Sequence, residues 1–255
     1  MCLALVALDA HPRYALLIAA NRDEFHARVA EPAHWWSESI LGGRDGVGGG
    51  TWFGVTTTGR WALVTNYREG VPRDPSAPSR GAVVTAALHD RRPPLICAAA
   101  TAVDSGRYHG FNLLLGEASE IAYTSNRASG AVALGAGIHG LSNHLLETPW
   151  PKLLRAKKRL AAVLAGDADP VAGAFDLLAE RERAAASTLP STGVSREWER
   201  LLSSAFIVHP EYGTRCSTVL AIDRRERARF VERSFDAQGE CKGEVVFDFE
   251  LSPAR

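Results

Sequence analysis

Residues 1–25 read MCLALVALDAHPRYALLIAANRDEF. Two apolar runs of strand length, Leu3–Leu8 and Tyr14–Ala20, flank Asp9-Ala10-His11-Pro12-Arg13, which has turn chemistry. The pattern predicts a β-hairpin. Both runs are almost continuously apolar, so both strands are expected to be covered on both faces. If Asp9 pairs with Tyr14 across the turn, facing residues sum to about 23 and Cys2 falls opposite Asn21, within a residue or two. Arg22 and Asp23 follow at the strand end. The hairpin therefore gathers the chain start, a thiol, a guanidinium and a carboxylate at one sheet edge.

That set has a definite chemistry. Initiator methionine is usually removed before a residue as small as cysteine, which would leave Cys2 with an α-amine and a thiol on the same residue. An α-amine titrates at about 7.7–8.0 and a thiol at about 8.5, so the amine can accept the proton of its own thiol. A nearby arginine favours the thiolate, and a carboxylate orients the amine. The competing reading makes Cys2 an inert first residue of a core strand. Asn21-Arg22-Asp23-Glu24 is then a strand exit with an Asx-turn and a surface ion pair.

Further hairpins are expected at 52–57 with 61–65 and at 111–115 with 121–125. Gly42–Gly50, GGRDGVGGG, lacks the Lys-Ser/Thr ending of a phosphate loop and leads into a strand, so it reads as a flexible loop beside a site. A Pro-rich loop over 71–80 precedes a helix over 81–90. Residues 151–165 have helical periodicity, with Leu153, Leu154, Leu160, Ala161 and Leu164 on one side and Lys157, Lys158 and Arg159 on a solvated face. A second helix is expected from 169 to about 185 and a short one over 196–203, with loop between them. Strands return at 217–223, 228–233 and 244–251. Strands, a helical middle and strands again, with no repeat or linker, predict one domain over 1–255 of layered α+β architecture.

The 255 residues carry 29 Lys+Arg and 29 Asp+Glu, so there is no global basic field to draw nucleic acid. Cys2, Cys97, Cys216 and Cys241 form no C-x-x-C pair and no metal-spaced cluster, and this usage fits a reducing compartment. No apolar run approaches a membrane span. The start lacks the basic region of a signal peptide. A cytoplasmic protein with no metal, no cofactor and no integral membrane segment is expected, with Met1 as its true start.

Several blocks occur in order along the chain. They are Met1-Cys2, Asn21-Arg22-Asp23-Glu24, Gly50-Thr51-Trp52-Phe53-Gly54, Leu63-Val64-Thr65-Asn66-Tyr67-Arg68, Phe111-Asn112-Leu113, Gly140-Leu141-Ser142-Asn143, Thr148-Pro149-Trp150-Pro151-Lys152 and Tyr212-Gly213-Thr214-Arg215. Together they resemble the NRDE family, which includes the transport and Golgi organisation protein 2 homologues. More loosely, the chain resembles N-terminal-nucleophile (Ntn) hydrolases of the choloylglycine hydrolase and penicillin V acylase type. This resemblance implies a four-layer αββα sandwich of mostly antiparallel sheets, with Cys2, Arg22, Asp23, Asn66, Asn143 and Arg215 at the matching catalytic positions. Cys2 would attack a carbonyl, Asn66 would donate to the oxyanion and Asn143 would hydrogen-bond the α-amine or the substrate. Arg215 would hold the thiolate or a substrate charge, and Asp23 would fix the amine. Arg22 and Asp23 are adjacent here but spaced differently in the acylases, so their roles are open to exchange or to sharing with Asn21.

Asn21, Glu24, Trp52 and Tyr67 are the candidates for substrate contact. Trp35, Trp36, Trp61 and Trp150 also flank the polar blocks, as pocket lining or as ordinary core. Cys216 reads as a packed core thiol. The expected activity is hydrolysis of an amide or thioester of a small acylated substrate through an acyl-enzyme on Cys2. Two alternatives remain. One is a protein that binds or carries a lipid, acyl-coenzyme A or haem in the same pocket without turnover. His26, His34, His139 and His144 are axial-ligand candidates there by residue type alone. The other is a purely structural or interaction protein. The sequence carries no sign of oligomeric state.

Overall fold

The computed structural model describes residues 2–36, 39–71, 74, 76–117 and 119–253. Met1, and with it the question of its removal, lies outside the described residues, as do positions 72, 73 and 75 of the Pro-rich loop.

β1 (Cys2–Leu8) and β2 (Tyr14–Phe25) form the expected hairpin, one residue away from the central expected register. Cys2 faces Arg22, and Leu3 faces Asn21. The shift decides what meets what, because successive side chains leave a strand on opposite faces. Ala4, Val6 and Leu8 share one core with Ile18 and Ala20, whereas Leu3, Leu5 and Ala7 share another with Leu17 and Ala19. Cys2 and Arg22 continue the first face, and Asn21 and Asp23 continue the second.

β2 runs five residues beyond the predicted strand and carries Asn21-Arg22-Asp23-Glu24 inside the sheet. Its neighbour β11 (Tyr212–Asp223) keeps this segment extended by pairing Tyr212 with Phe25, Gly213 with Glu24 and Thr214 with Asp23. The buried polar groups are matched. Asn21 Nδ2 donates to Leu178 O at 2.8 Å and Ala205 O at 2.9 Å, and its Oδ1 accepts from Ser217 Oγ at 2.6 Å. Asn21→Leu strands these partners without solvent and is expected to cost about 2–3 kcal/mol. Urea denaturation checks this, and a change under about 0.5 kcal/mol would remove Asn21 as a structural tie.

The remaining strands in chain order are β3 (Ala30–Trp35), β4 (Ile40–Asp45), β5 (Phe53–Thr56), β6 (Trp61–Asn66), β7 (Phe111–Gly116), β8 (Ile121–Ser125), β9 (Ala131–Leu134), β10 (Gly137–Leu141), β12 (Arg227–Phe235) and β13 (Cys241–Glu250). They make two antiparallel sheets. One runs β10-β1-β2-β11-β12-β13, and the other runs β3 to β9 in sequence order. Leu16, Ile18, Leu220 and Phe230 of the first sheet and Phe53, Trp61, Leu63 and Leu114 of the second fill the space between them.

Helices α1 (Gly81–His89) and α2 (Pro94–Val103) cover the outer face of the second sheet. α3 (Pro151–Ala165) and α4 (Pro170–Leu178) cover that of the first, and α5 (Arg196–Leu201) is a short helix near the end of β2. The layering is αββα, as the resemblance to Ntn hydrolases implies. Among the described residues no helix is long and apolar enough to cross a membrane.

Three expectations change. The first half of the Gly-rich stretch is strand: β4 contains Gly42 and Gly43, and only Gly46–Gly50 turn. Gly50 presses against the start of α1, where a Cβ would stand 2.5 Å from Gly81 C. α4 stops at Leu178, where the buried Asn21 takes the Leu178 carbonyl. The buried stripe of α3 is Lys152, Leu153, Ala156, Leu160 and Leu164, while Leu154 and Ala161 are exposed. The stripe is rotated because residues four apart stack along the face that meets β1 and β10.

Candidate active site

The ends of β1, β2, β6 and β10 converge. The Cys2 backbone nitrogen donates to Asn143 Oδ1 at 3.2 Å. Accepting with Oδ1 turns the Asn143 amide so that Nδ2 donates to Asn66, to its backbone oxygen at 3.1 Å and its Oδ1 at 3.0 Å. Asn66 therefore accepts with Oδ1, and Nδ2 is its donating end. Ser142 Oγ closes the loop by donating to Cys2 O at 3.0 Å. Asn143 directly follows Ser142 beyond β10, and this places it beside β1 even though 141 residues separate Cys2 and Asn143.

The Cys2 sulfur is buried, and burial pushes its thiol up. The negative charge of Asp23 adds to this, whereas the Asp23 backbone N–H and the Arg22 charge pull the other way. Arg22 reaches Asp45 Oδ2 at 3.5 Å, and Arg28 Nε donates to the same oxygen at 2.7 Å. Asp45 Oδ1 accepts the backbone N–H of Val47 and Gly48. The Gly-rich turn thus serves to fix a carboxylate that orients Arg22 beside the thiol.

Asp23 sits on the helix side of the sheet. Its Oδ1 accepts from Thr214 Oγ1 at 2.7 Å, and its backbone oxygen accepts from Tyr212 Oη at 2.9 Å. Burial raises the Asp23 carboxyl and Lys152 opposes that rise, while burial puts the Tyr212 phenol well above its usual range.

Cys2, Arg22, Asp23, Asn66, Glu24, Trp52 and Tyr67 all line one cavity of about 540 Å³. Asn143 supports it from beneath. The lining also includes the apolar Phe25, Val71, Val194, Trp198 and Leu202 and the basic Arg28, Arg80 and His109. Glu24 Oε1 accepts its own neighbour's N–H, from Phe25, at 2.9 Å. Burial raises the Glu24 carboxyl, but that bond and the charges of Arg22 and Arg28 leave it below its ordinary value. Tyr67 Oη lies 2.7 Å from His144 Nε2, which turns the phenol toward α3.

Two candidates lie elsewhere. Asn21 is committed to the helix layer and does not line the cavity. Arg215 donates to the backbone oxygens of Phe25, His26 and Arg28 and lines a neighbouring cavity of about 310 Å³ with Cys216 and Glu232. It pins the exit of β2 rather than the sulfur. Trp61 is wholly buried, Trp150 stacks under Arg68, and Trp35 and Trp36 border other parts of the second sheet.

Asp45, Arg68, Lys152 and Glu199 escaped the sequence reading. Asp45 had a signal, a carboxylate heading a glycine turn. Lys152 had another, since it falls four residues before Ala156 on the buried stripe of α3. Among the described residues no group of His, Cys, Asp and Glu is arranged to hold a metal ion.

The structure is similar to penicillin V acylase from Agrobacterium tumefaciens, with a TM-score of 0.51 at 14% identity, covering 91% of this chain and 83% of that one. It is equally similar to a variant of conjugated bile acid hydrolase from Clostridium perfringens, with a TM-score of 0.51 at 9% identity over 97% and 92% of the two chains. The fold is the αββα sandwich of the Ntn-hydrolase type.

Residues 1–237 match the family model Transport and Golgi organisation 2, and the chain belongs to that family. It is 36% identical to the Transport and Golgi organization protein 2 homolog of Bos taurus and 35% identical to that of Homo sapiens, in each case over 92% of this chain and 93% of the relative. The NRDE resemblance read from the sequence blocks is borne out.

Proposed function

We propose that the protein is a cysteine N-terminal-nucleophile hydrolase that cleaves an amide or thioester of a small acylated substrate. One observation carries the reading: the Cys2 nitrogen is tied to Asn143, and Asn143 to Asn66, while Cys2 is among the residues that line the cavity.

Once Met1 is removed, the Cys2 nitrogen is an amine. It donates one hydrogen to Asn143 Oδ1 and keeps its lone pair for the thiol proton. The sulfur then attacks the acyl carbon, the carbonyl oxygen becomes an oxyanion, and Asn66 Nδ2 donates to it. The ammonium returns its proton to the leaving amine or thiol. Water, deprotonated by the same amine, releases the acid from the thioester. Arg22, set by Asp45, stabilises negative charge on the sulfur, and Asp23 orients the amine. In this reading Arg215 supports Arg22 by fixing the β2 exit. Glu24, Trp52 and Tyr67 meet the substrate. The proposal sets the reaction in the cytoplasm, where a thiol nucleophile stays reduced.

The test is an intact mass of the protein after incubation with a panel of acyl amides and thioesters, followed by mapping of the adduct. Met1 absent and one acyl group on Cys2 is the expected result. An adduct that maps to Cys97 or Cys216, or a retained Met1, overturns it. Asn66→Ala is expected to lower kcat about 10²–10³-fold with a small change in KM. Steady-state kinetics on the best substrate of the panel checks this, and a loss below tenfold takes the oxyanion role away from Asn66.

A second reading has its own support. The thiol is buried and raised, and Phe25 and Val71 stand half-exposed or more at the cavity. Both features suit an apolar ligand held without turnover. None of His26, His34, His139 and His144 lines the cavity, and the histidine that does, His109, meets the Asp74 backbone through Nε2.

A further inference from the structure

Lys152 stands in the first turn of α3 and is 1% exposed. Its Nζ has no hydrogen-bond partner among the described residues. Buried ammonium groups are costly and are normally paired, so an unpartnered one in the layer below Cys2 needs a reason. The next lysine of the helix, Lys157, is ordinary: its ammonium pairs with Glu147 at 2.5 Å at the surface.

The charges that face Lys152 come from four elements. They are Asp23 of β2, Cys2 of β1, Arg68 after β6 and Glu199 of α5. Glu199 is already spent: Oε2 accepts from Arg68 at 2.6 Å, and Oε1 accepts from Thr192 N and Oγ1. That leaves Asp23 as the carboxylate nearest in charge balance to Lys152. The Asp23 side chain lies on the helix side of β2, on the strand next to Cys2. A chain trimmed at Met1 brings a third charged group to this place, the Cys2 α-amine. Two cations would then share one carboxylate in a dry site.

We infer that Lys152 is a positioning residue of the Cys2 centre: its buried cation competes with the α-amine for Asp23 and so holds that amine in the neutral, proton-accepting form. The inference rests on the N-terminal-nucleophile part of the proposed function, because only the trimmed chain has that amine. Burial and the charge of Arg68 both disfavour the Lys152 ammonium, and Asp23 restores it in part, which brings Lys152 down to about 8.

The test is the pH dependence of Cys2 alkylation by iodoacetamide, read by mass on the full chain. In this step the thiol proton passes to the α-amine, the sulfur bonds the methylene carbon and iodide leaves. Lys152→Met is expected to move the midpoint up by about one unit or more, and Lys152→Arg to restore it. Asp23→Asn acts in the opposite sense, because it leaves the cation unopposed. It is expected to move the midpoint down, and it serves if Lys152→Met fails to fold by circular dichroism. An unchanged midpoint in a folded Lys152→Met, or an upward shift in Asp23→Asn, overturns the inference. Retention of Met1 in the wild-type chain overturns it together with the hydrolase reading. A trimmed chain whose midpoint depends on Lys152, but which forms no acyl adduct, keeps the inference and sinks hydrolysis.

Discussion

Cys2→Ala is expected to abolish acyl-adduct formation and to lower turnover of any amide or thioester substrate at least about a thousandfold. The substitution removes the sulfur and leaves every tie around it in place. The Asn143 and Ser142 bonds run to the backbone of Cys2, and the neighbouring strands pair through main-chain atoms. The side chain is small, so the variant keeps its fold and its cavity. Affinity for an acyl ligand is therefore expected to survive while turnover does not. That split separates the two readings of the site. A chain whose turnover is intact without the sulfur does not use Cys2 as its nucleophile. A chain that binds acyl ligands equally well with and without Cys2, and that never turns over in either form, is a carrier. An uncleavable residue added before Cys2 is a second control, because it keeps the thiol and blocks the amine.

The largest effect on stability is expected at Arg68. Its Nη1 donates to Glu199 Oε2 at 2.6 Å, its guanidinium lies 4.5 Å over the Trp150 ring, and its backbone N–H donates to Asn143 O at 2.7 Å. Both charged side chains are almost completely buried, at 4% and 1% exposure. Arg68→Met leaves the Glu199 carboxylate in a dry interior, still bonded to Thr192 but without its countercharge. The expected cost is about 3–5 kcal/mol. Urea unfolding at constant slope measures it. Arg68→Met combined with Glu199→Met should recover a substantial part of the loss, because the pair pays its desolvation jointly. A single variant that loses less than about 1 kcal/mol would show that the pair is hydrated.

The layers were legible because they rest on local pattern. Leu3–Leu8 and Tyr14–Ala20 announce a covered hairpin, and the residues of α3 announce a helix on a sheet. The polar end of β2 was hard to read as strand, since its extension depends on β11, 191 residues away at the Asp23–Thr214 contact. β3 and β4 were missed because Trp35, Trp36 and the paired glycines resemble neither alternation nor an apolar run.

At the site, periodicity could join Cys2 to Arg22 because a hairpin is local. It could not join Cys2 to Asn143 and Asn66, which only the resemblance to known proteins brought together. Asn21 went the other way: an offset of one residue in the turn moved it from the cavity into the helix layer. Lys152 was hidden by its type, because a lysine on an amphipathic helix is normally placed on the wet face.

The position of β2 between β1 and β11 also orders events during synthesis. Residues 2–25 emerge first and can fold back on themselves at once. The strand that covers the other edge of β2 begins at Tyr212, so it is translated near the end. Asp23 cannot receive Thr214, nor Asn21 meet Ser217, until then. The site is therefore closed in two stages, first when β10 and Asn143 reach Cys2 and last when β11 reaches β2. The second stage waits for β11, which begins only at Tyr212 of the 255 residues. A truncation before β11 is expected to leave the second edge of β2 uncovered and the centre unbuilt.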